Sequence, residues 1–200
     1  DHQARVACET AITNGLVLHM TFDGKNVSGN YTITVANGIE GTPVGAPTSG
    51  PGKLGSAVAL TVNGTNNINN YVTLGYPTEL QFGSTLDNSD TDFSIAFWCN
   101  YTNQTSDPAF IGNQNWNSSQ NPGWLIYMQG GGNFGALTKD DSGDGTHRQQ
   151  IAPGNPGAFL RDGNWHHVVV TWGRRSVVTI YKDGALLATS PVSQTTGLID

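Results

Sequence analysis

Alternation with a period of two constrains this chain more than any other feature. Across residues 92–101, Phe93, Ile95, Phe97 and Cys99 alternate with Ser94, Ala96, Trp98 and Asn100. Successive side chains of an extended strand point to opposite faces, so the run predicts a strand with one face in a core. The same pattern marks 15–22, where Leu16, Leu18, Met20 and Phe22 share a face, and 165–172. Shorter runs at 57–62, 71–74, 109–111, 124–128, 134–138, 148–151, 177–182 and 186–188 predict further strands, with one more at 31–35. Asp183-Gly184 joins two of these runs and is a strong two-residue hairpin signal. Pro43, Pro47 and Pro51 exclude a long central strand in the loop-rich stretch 25–52.

Composition points the same way. Gly, Asn, Ser and Thr supply 80 of the 200 residues, and charged residues only 12%, against about 25% in an ordinary soluble domain. Such a chain is poor in helix formers and rich in turn formers, and no helix is predicted. Short strands with frequent turns predict an all-β fold, a two-sheet antiparallel β-sandwich or jelly roll. The predicted organisation is a tail at 1–14 and one domain over 15–200. No apolar run reaches the roughly 18 residues of a membrane-spanning helix. Nine Lys+Arg against fifteen Asp+Glu, a net charge of −6, lack the basic stripe that nucleic-acid binding needs. Cys8 and Cys99 allow one disulfide, which would tie the tail to a strand and imply an oxidising compartment; the other reading is two unrelated thiols.

Three stretches together resemble the laminin-G-like branch of the concanavalin A-like lectin/glucanase superfamily. They are Gly15-Leu-Val-Leu-His-Met-Thr-Phe-Asp-Gly24; Gly52-Lys-Leu-Gly-Ser-Ala-Val-Ala-Leu60 with Tyr71-Val-Thr-Leu74; and Asp162-Gly-Asn-Trp-His-His-Val-Val-Val170 leading to Ile180-Tyr-Lys-Asp-Gly184. The strand at 92–98 fits between them. The resemblance implies a jelly roll with a concave and a convex sheet. It implies that His166 and His167 are scaffold, and strand geometry sends them to opposite sides. It also implies strands after the Asp-Gly hairpin that return beside the first strand, which are expected beyond Asp200. Two readings follow: the sequence is a shortened piece of a longer chain, or the edge around 15–22 is open to a strand from a partner.

The chemistry expected of such a domain is binding. Glycosidases on this fold need paired carboxylates, whereas Glu9, Glu40 and Glu79 are scattered and no Glu-x-Asp-x-x-Glu pattern is present. The expected function is therefore a non-catalytic, lectin-like carbohydrate-binding module of a secreted or cell-surface protein, or an accessory domain of a larger secreted enzyme. The alternative is a structural or adhesive sandwich that binds protein or self-associates. Sugar sites pair an aromatic platform with amides and charges, which singles out Trp116 with Asn113, Asn115 and Trp124, and His147 and Arg148 on the same rim; Trp124, which begins a strand, also reads as a core residue. Calcium needs six to eight oxygen donors. By the resemblance it would sit at Asp23 with Asn63. A second place is Asp140-Asp-Ser-Gly-Asp-Gly145, with Asp140 and Asp144 as ligands. That loop matches only the first half of a calcium motif, because Ile151 stands where a Glu should follow. The simpler readings are a turn aspartate at Asp23 and a solvated hairpin tip at 140–145. Six Asn-x-Ser/Thr sequons occur, at Asn26, Asn30, Asn63, Asn100, Asn103 and Asn117.

Overall fold

Strand alternation becomes two kinds of sheet in the computed structural model of the chain, which describes residues 15–33, 39–60, 70–83, 91–102, 109–114, 121–129, 131–141, 147–154, 156–174, 176–192 and 199. The chain divides into two compact units, Asp1–Leu80 and Gln81–Asp200. Among the described residues there is no α-helix; one 3-10 turn, Thr78–Leu80, is the only helical element.

The first unit is built from two-stranded sheets. Strands β1 (Thr42–Val44), β2 (Thr48–Pro51), β3 (Ser56–Ala59) and β4 (Tyr71–Thr73) pair antiparallel as β1–β4 and β2–β3. β1 and β2 are absent from the sequence expectation. Each contains a proline, Pro43 or Pro51, and each has a single neighbour, so the missing N–H removes nothing from a central ladder. The segment 16–22 departs from expectation in the other direction. Leu16, Leu18 and Met20 are half-buried and Val17 and His19 are exposed, as alternation requires, but these residues join no ladder among the described residues. It ends at Phe22, whose φ of +62° breaks the extended path. Of the run 31–35, Tyr31 forms only isolated bridges, to Lys25 and Gly41.

The second unit is an antiparallel sandwich. Its strands are β5 (Phe93–Asn100), β6 (Ala109–Gly112), β7 (Gly123–Met128), β8 (Phe134–Lys139), β9 (Arg148–Ile151), β10 (Trp165–Trp172), β11 (Val177–Lys182) and β12 (Ala185–Pro191). They form two sheets, ordered β12-β11-β10-β5 and β6-β7-β8-β9. β5 and β10 pair along their whole length, from Trp165↔Asn100 to Trp172↔Phe93. The Asp183-Gly184 turn has positive φ at both residues, +52° and +82°, as a type I′ hairpin demands.

Aromatic side chains join the two sheets. Phe82, Phe93 and Trp172 form a run of stacked rings with centroid separations of 4.1 and 4.6 Å. Trp124, from β7 of the facing sheet, packs tilted against all three at 5.6–6.1 Å. Each such pair adds about 0.5–1.5 kcal/mol beyond the area it buries. Trp172 is buried at the centre of this cluster. Its replacement by Ala should cost about 3–5 kcal/mol, and Trp172→Phe less, which chemical denaturation followed by circular dichroism will measure.

Candidate functional site

The side of β5 turned away from the aromatic cluster carries Ser94, Ala96, Trp98 and Asn100, all exposed. Ladder register sets Thr171, Val169, His167 and Trp165 of β10 opposite them, and Thr179 and Tyr181 of β11 next to those. Leu186, opposite Tyr181 on β12, extends the face. Trp98 is 42% exposed, and its indole lies over the His167 ring with centroids 5.0 Å apart and planes 38° from parallel. An exposed indole fixed on a sheet and backed by a second ring offers a flat apolar surface to a ligand.

The neighbouring residue, His166, points the opposite way and is buried. Its Nδ1 lies 2.7 Å from Asp183 Oδ2 and its Nε2 3.0 Å from Asp162 Oδ1. A ring bearing hydrogen on both nitrogens donates to both carboxylates. Asp183 Oδ1 also accepts the His167 N–H at 2.9 Å, and the Asp183 N–H donates to His167 O. The hairpin tip thus fixes the backbone that holds the ring under Trp98. Asn100 Nδ2 donates to Gly163 O at 2.8 Å, which pins the 162–164 turn to the end of β5.

These contacts shift the acids. The Asn164 N–H first and then His166 hold the Asp162 carboxyl well below the usual carboxylate range. For Asp183, burial pushes upward, but the bonds from His166 and the His167 N–H outweigh it and the net shift is downward. Burial, aided by the charge of Asp183 and opposed by Lys182, pushes the Cys99 thiol up to about 12. Among the described residues that thiol is buried and unbridged, an environment that disfavours the reactive thiolate. Cys8, its expected partner, lies outside the described residues.

The residues singled out from the sequence have other surroundings. Trp124 is in the core. Asn113 Oδ1 accepts the Trp124 N–H at 2.8 Å and its Nδ2 donates to Ile199 O at 3.2 Å, so this amide ties the fold together. His147 Nδ1 lies 3.1 Å from Oδ2 of buried Asp140. Arg148 is half-buried in β9, opposite Lys139. Asp23 Oδ1 accepts the Ser56 N–H at 2.6 Å, which closes the 52–55 turn across 33 residues. Trp116, Asn115, Asn63 and Asp144 lie outside the described residues. Among the described residues no three His, Cys, Asp or Glu side chains gather as a metal site.

Trp98 is not among the residues singled out from the sequence. The signal was present, because Trp98 falls in the phase opposite to Phe93, Ile95, Phe97 and Cys99.

Comparison with known proteins bears on the fold. The Laminin_G_3 family model, described as concanavalin A-like lectin/glucanases superfamily, matches residues 64–199. No curated protein matches the chain by sequence. Among solved structures it is similar to the binding domain of Paraclostridial Mosquitocidal Protein 1, with a TM-score of 0.67 and 17% identity over 94% of this chain and 42% of that one. It is also similar to the binding domain of botulinum neurotoxin DC in complex with SialylT, with a TM-score of 0.62 and 18% identity over 94% of this chain and 42% of that one. The same domain in complex with rat synaptotagmin II gives a TM-score of 0.58 and 18% identity over 94% of this chain and 42% of that one. The chain thus spans about 42% of the length of these binding domains, and the likeness carries the fold.

The shifted acids give a pH prediction. A carboxylate depressed in the folded state stabilises the fold at pH above its ordinary value, near 4, and that contribution is lost as pH falls through the depressed value. Thermal melts from pH 7 to 2 should show a steeper acid loss for the native chain than for Asp183→Asn. His166→Ala should lower stability at pH 7 by about 2–3 kcal/mol, the range for a lost charged hydrogen bond.

Proposed function

Since the chain belongs to the concanavalin A-like lectin/glucanases superfamily, we propose that it is a non-catalytic carbohydrate-binding module of a secreted or cell-surface protein. The observation that carries this reading is the indole of Trp98, exposed on a sheet and backed by His167. A pyranose ring presents an apolar C–H face that stacks on an indole, and its hydroxyls take bonds from flanking polar groups. A site on a sheet is held more rigidly than one on loops, so little ordering is required on binding. A second reading, contact with a protein or with another copy, is favoured by Leu186 and Val177, which are exposed on the same sheet.

Glycan-array binding with the Trp98→Ala and Trp116→Ala variants tests the reading. Trp98→Ala should remove about 2 kcal/mol or more of binding free energy, as truncation of a central Trp does, while the chain keeps its cooperative unfolding. Unchanged binding by Trp98→Ala together with loss by Trp116→Ala would move the site to the 113–124 segment.

Calcium belongs to the same proposal as a stabilising ion, at Asp23 with Asn63 or at Asp140 with Asp144. In each pair the described acid already serves the fold, Asp23 through Ser56 and Asp140 through His147. An ion bound only by the folded chain raises Tm by mass action. Melts in calcium and in chelator should therefore differ, and coincident midpoints would remove the ion from the account.

A further inference from the structure

The charge of the Trp98 face narrows the ligand, on the premise that the face binds glycan. None of the described side chains that β5, β10, β11 and β12 turn to this side is Lys, Arg, Asp or Glu. Two cations among the described residues of this unit act elsewhere. Lys182 alternates with Tyr181, so it faces the other side, and its Nζ donates to Phe159 O at 2.5 Å. Arg161 acts electrostatically on Tyr101, which follows β5 in the phase of the inward residues. A negative charge is tied to this pair: the Asp183 carboxylate accepts the His167 N–H at 2.9 Å. The whole chain carries a net charge of −6.

An anionic sugar placed here would give up water around its carboxylate or sulfate with no Lys or Arg among the described residues of the face to replace it, which is costly. It would also approach a negative surface. An uncharged sugar meets neither penalty. Along the strand, Trp98 is followed on the same face by Ala96 and then Ser94, whose register partner is Thr171. Trp98 and Ser94 stand four residues apart, roughly 13 Å along β5. A small side chain at Ala96 leaves the path between the indole and these two hydroxyls low.

We propose that the face takes an uncharged oligosaccharide lying along β5, with one ring on Trp98 and later rings over Ala96 toward Ser94 and Thr171, and that it rejects sialylated and sulfated glycans. This separates the chain's ligand from the SialylT held by the botulinum neurotoxin DC binding domain, to which it is similar in fold.

The test uses the full chain on an array of uncharged gluco-, xylo- and galacto-oligosaccharides, with sialylated and sulfated galacto-oligosaccharides of equal length beside them. The expected result is binding confined to uncharged members and weaker by about tenfold or more, 1.4 kcal/mol, for a charged counterpart. Affinity should rise from one ring to three. Trp98→Ala should lose binding, and Ser94→Lys, an exposed substitution, should shift preference toward the sialylated probes. Equal or tighter binding of sialylated glycans by the native chain overturns the charge inference but leaves a glycan-binding module. Tight binding of a single sugar with no gain from length overturns the placement along β5. Binding to no probe of either kind overturns both the inference and the reading beneath it.

Discussion

The ladder between β5 and β10 is the constraint on which the second unit depends. Its register sets Phe93 opposite Trp172 and Trp98 opposite His167. The first pair faces inward and stacks with Phe82, where Trp124 of the other sheet meets it. The second pair faces outward. A slip of one residue on either strand would exchange the two faces, placing Trp98 inside and Phe93 in solvent. The buried cluster therefore fixes the displayed one. Display of Trp98 needs no ordered loop, only the packing that already holds the sandwich together.

Several carboxylates among the described residues serve architecture. Asp23 closes the 52–55 turn through Ser56, and Glu40 accepts from the side-chain amides of Asn26 and Asn30. Asp92 accepts the Arg174 N–H at 2.8 Å, and Asp162 and Asp183 hold His166 between them. With few charged groups in the chain and these engaged locally, the chemistry on the outer face is aromatic rings, hydroxyls and amides. That chemistry recognises by shape and stacking. The proposed binding role and the proposed preference for uncharged ligands both rest on it.

How much was legible follows from what alternation reports. It reports which side of a strand is buried, so β5, β10 and the β11–β12 hairpin were readable, and so was the opposite orientation of His166 and His167. It does not report whether a neighbour is present. The 16–22 segment alternates as cleanly as β5 and still joins no ladder among the described residues. β1 and β2 were hidden because Pro43 and Pro51 argue against strands, an argument that fails where a strand has one neighbour. The Asp162–His166–Asp183 arrangement was invisible because its members meet only when the Asp183-Gly184 turn folds back on β10. The exposure of Trp98 was legible as well, because its phase opposes that of Phe93, Ile95, Phe97 and Cys99, whereas Trp116 lies outside the described residues.

The most direct test is to titrate the 15N-labelled chain with an uncharged oligosaccharide and follow its five indole N–H resonances. The account predicts that the Trp98 resonance moves together with backbone amides of β5 and β10, while those of Trp124 and Trp172 stay fixed in the core. Movement of the Trp116 resonance and its loop, with Trp98 and β5 unaffected, would contradict it.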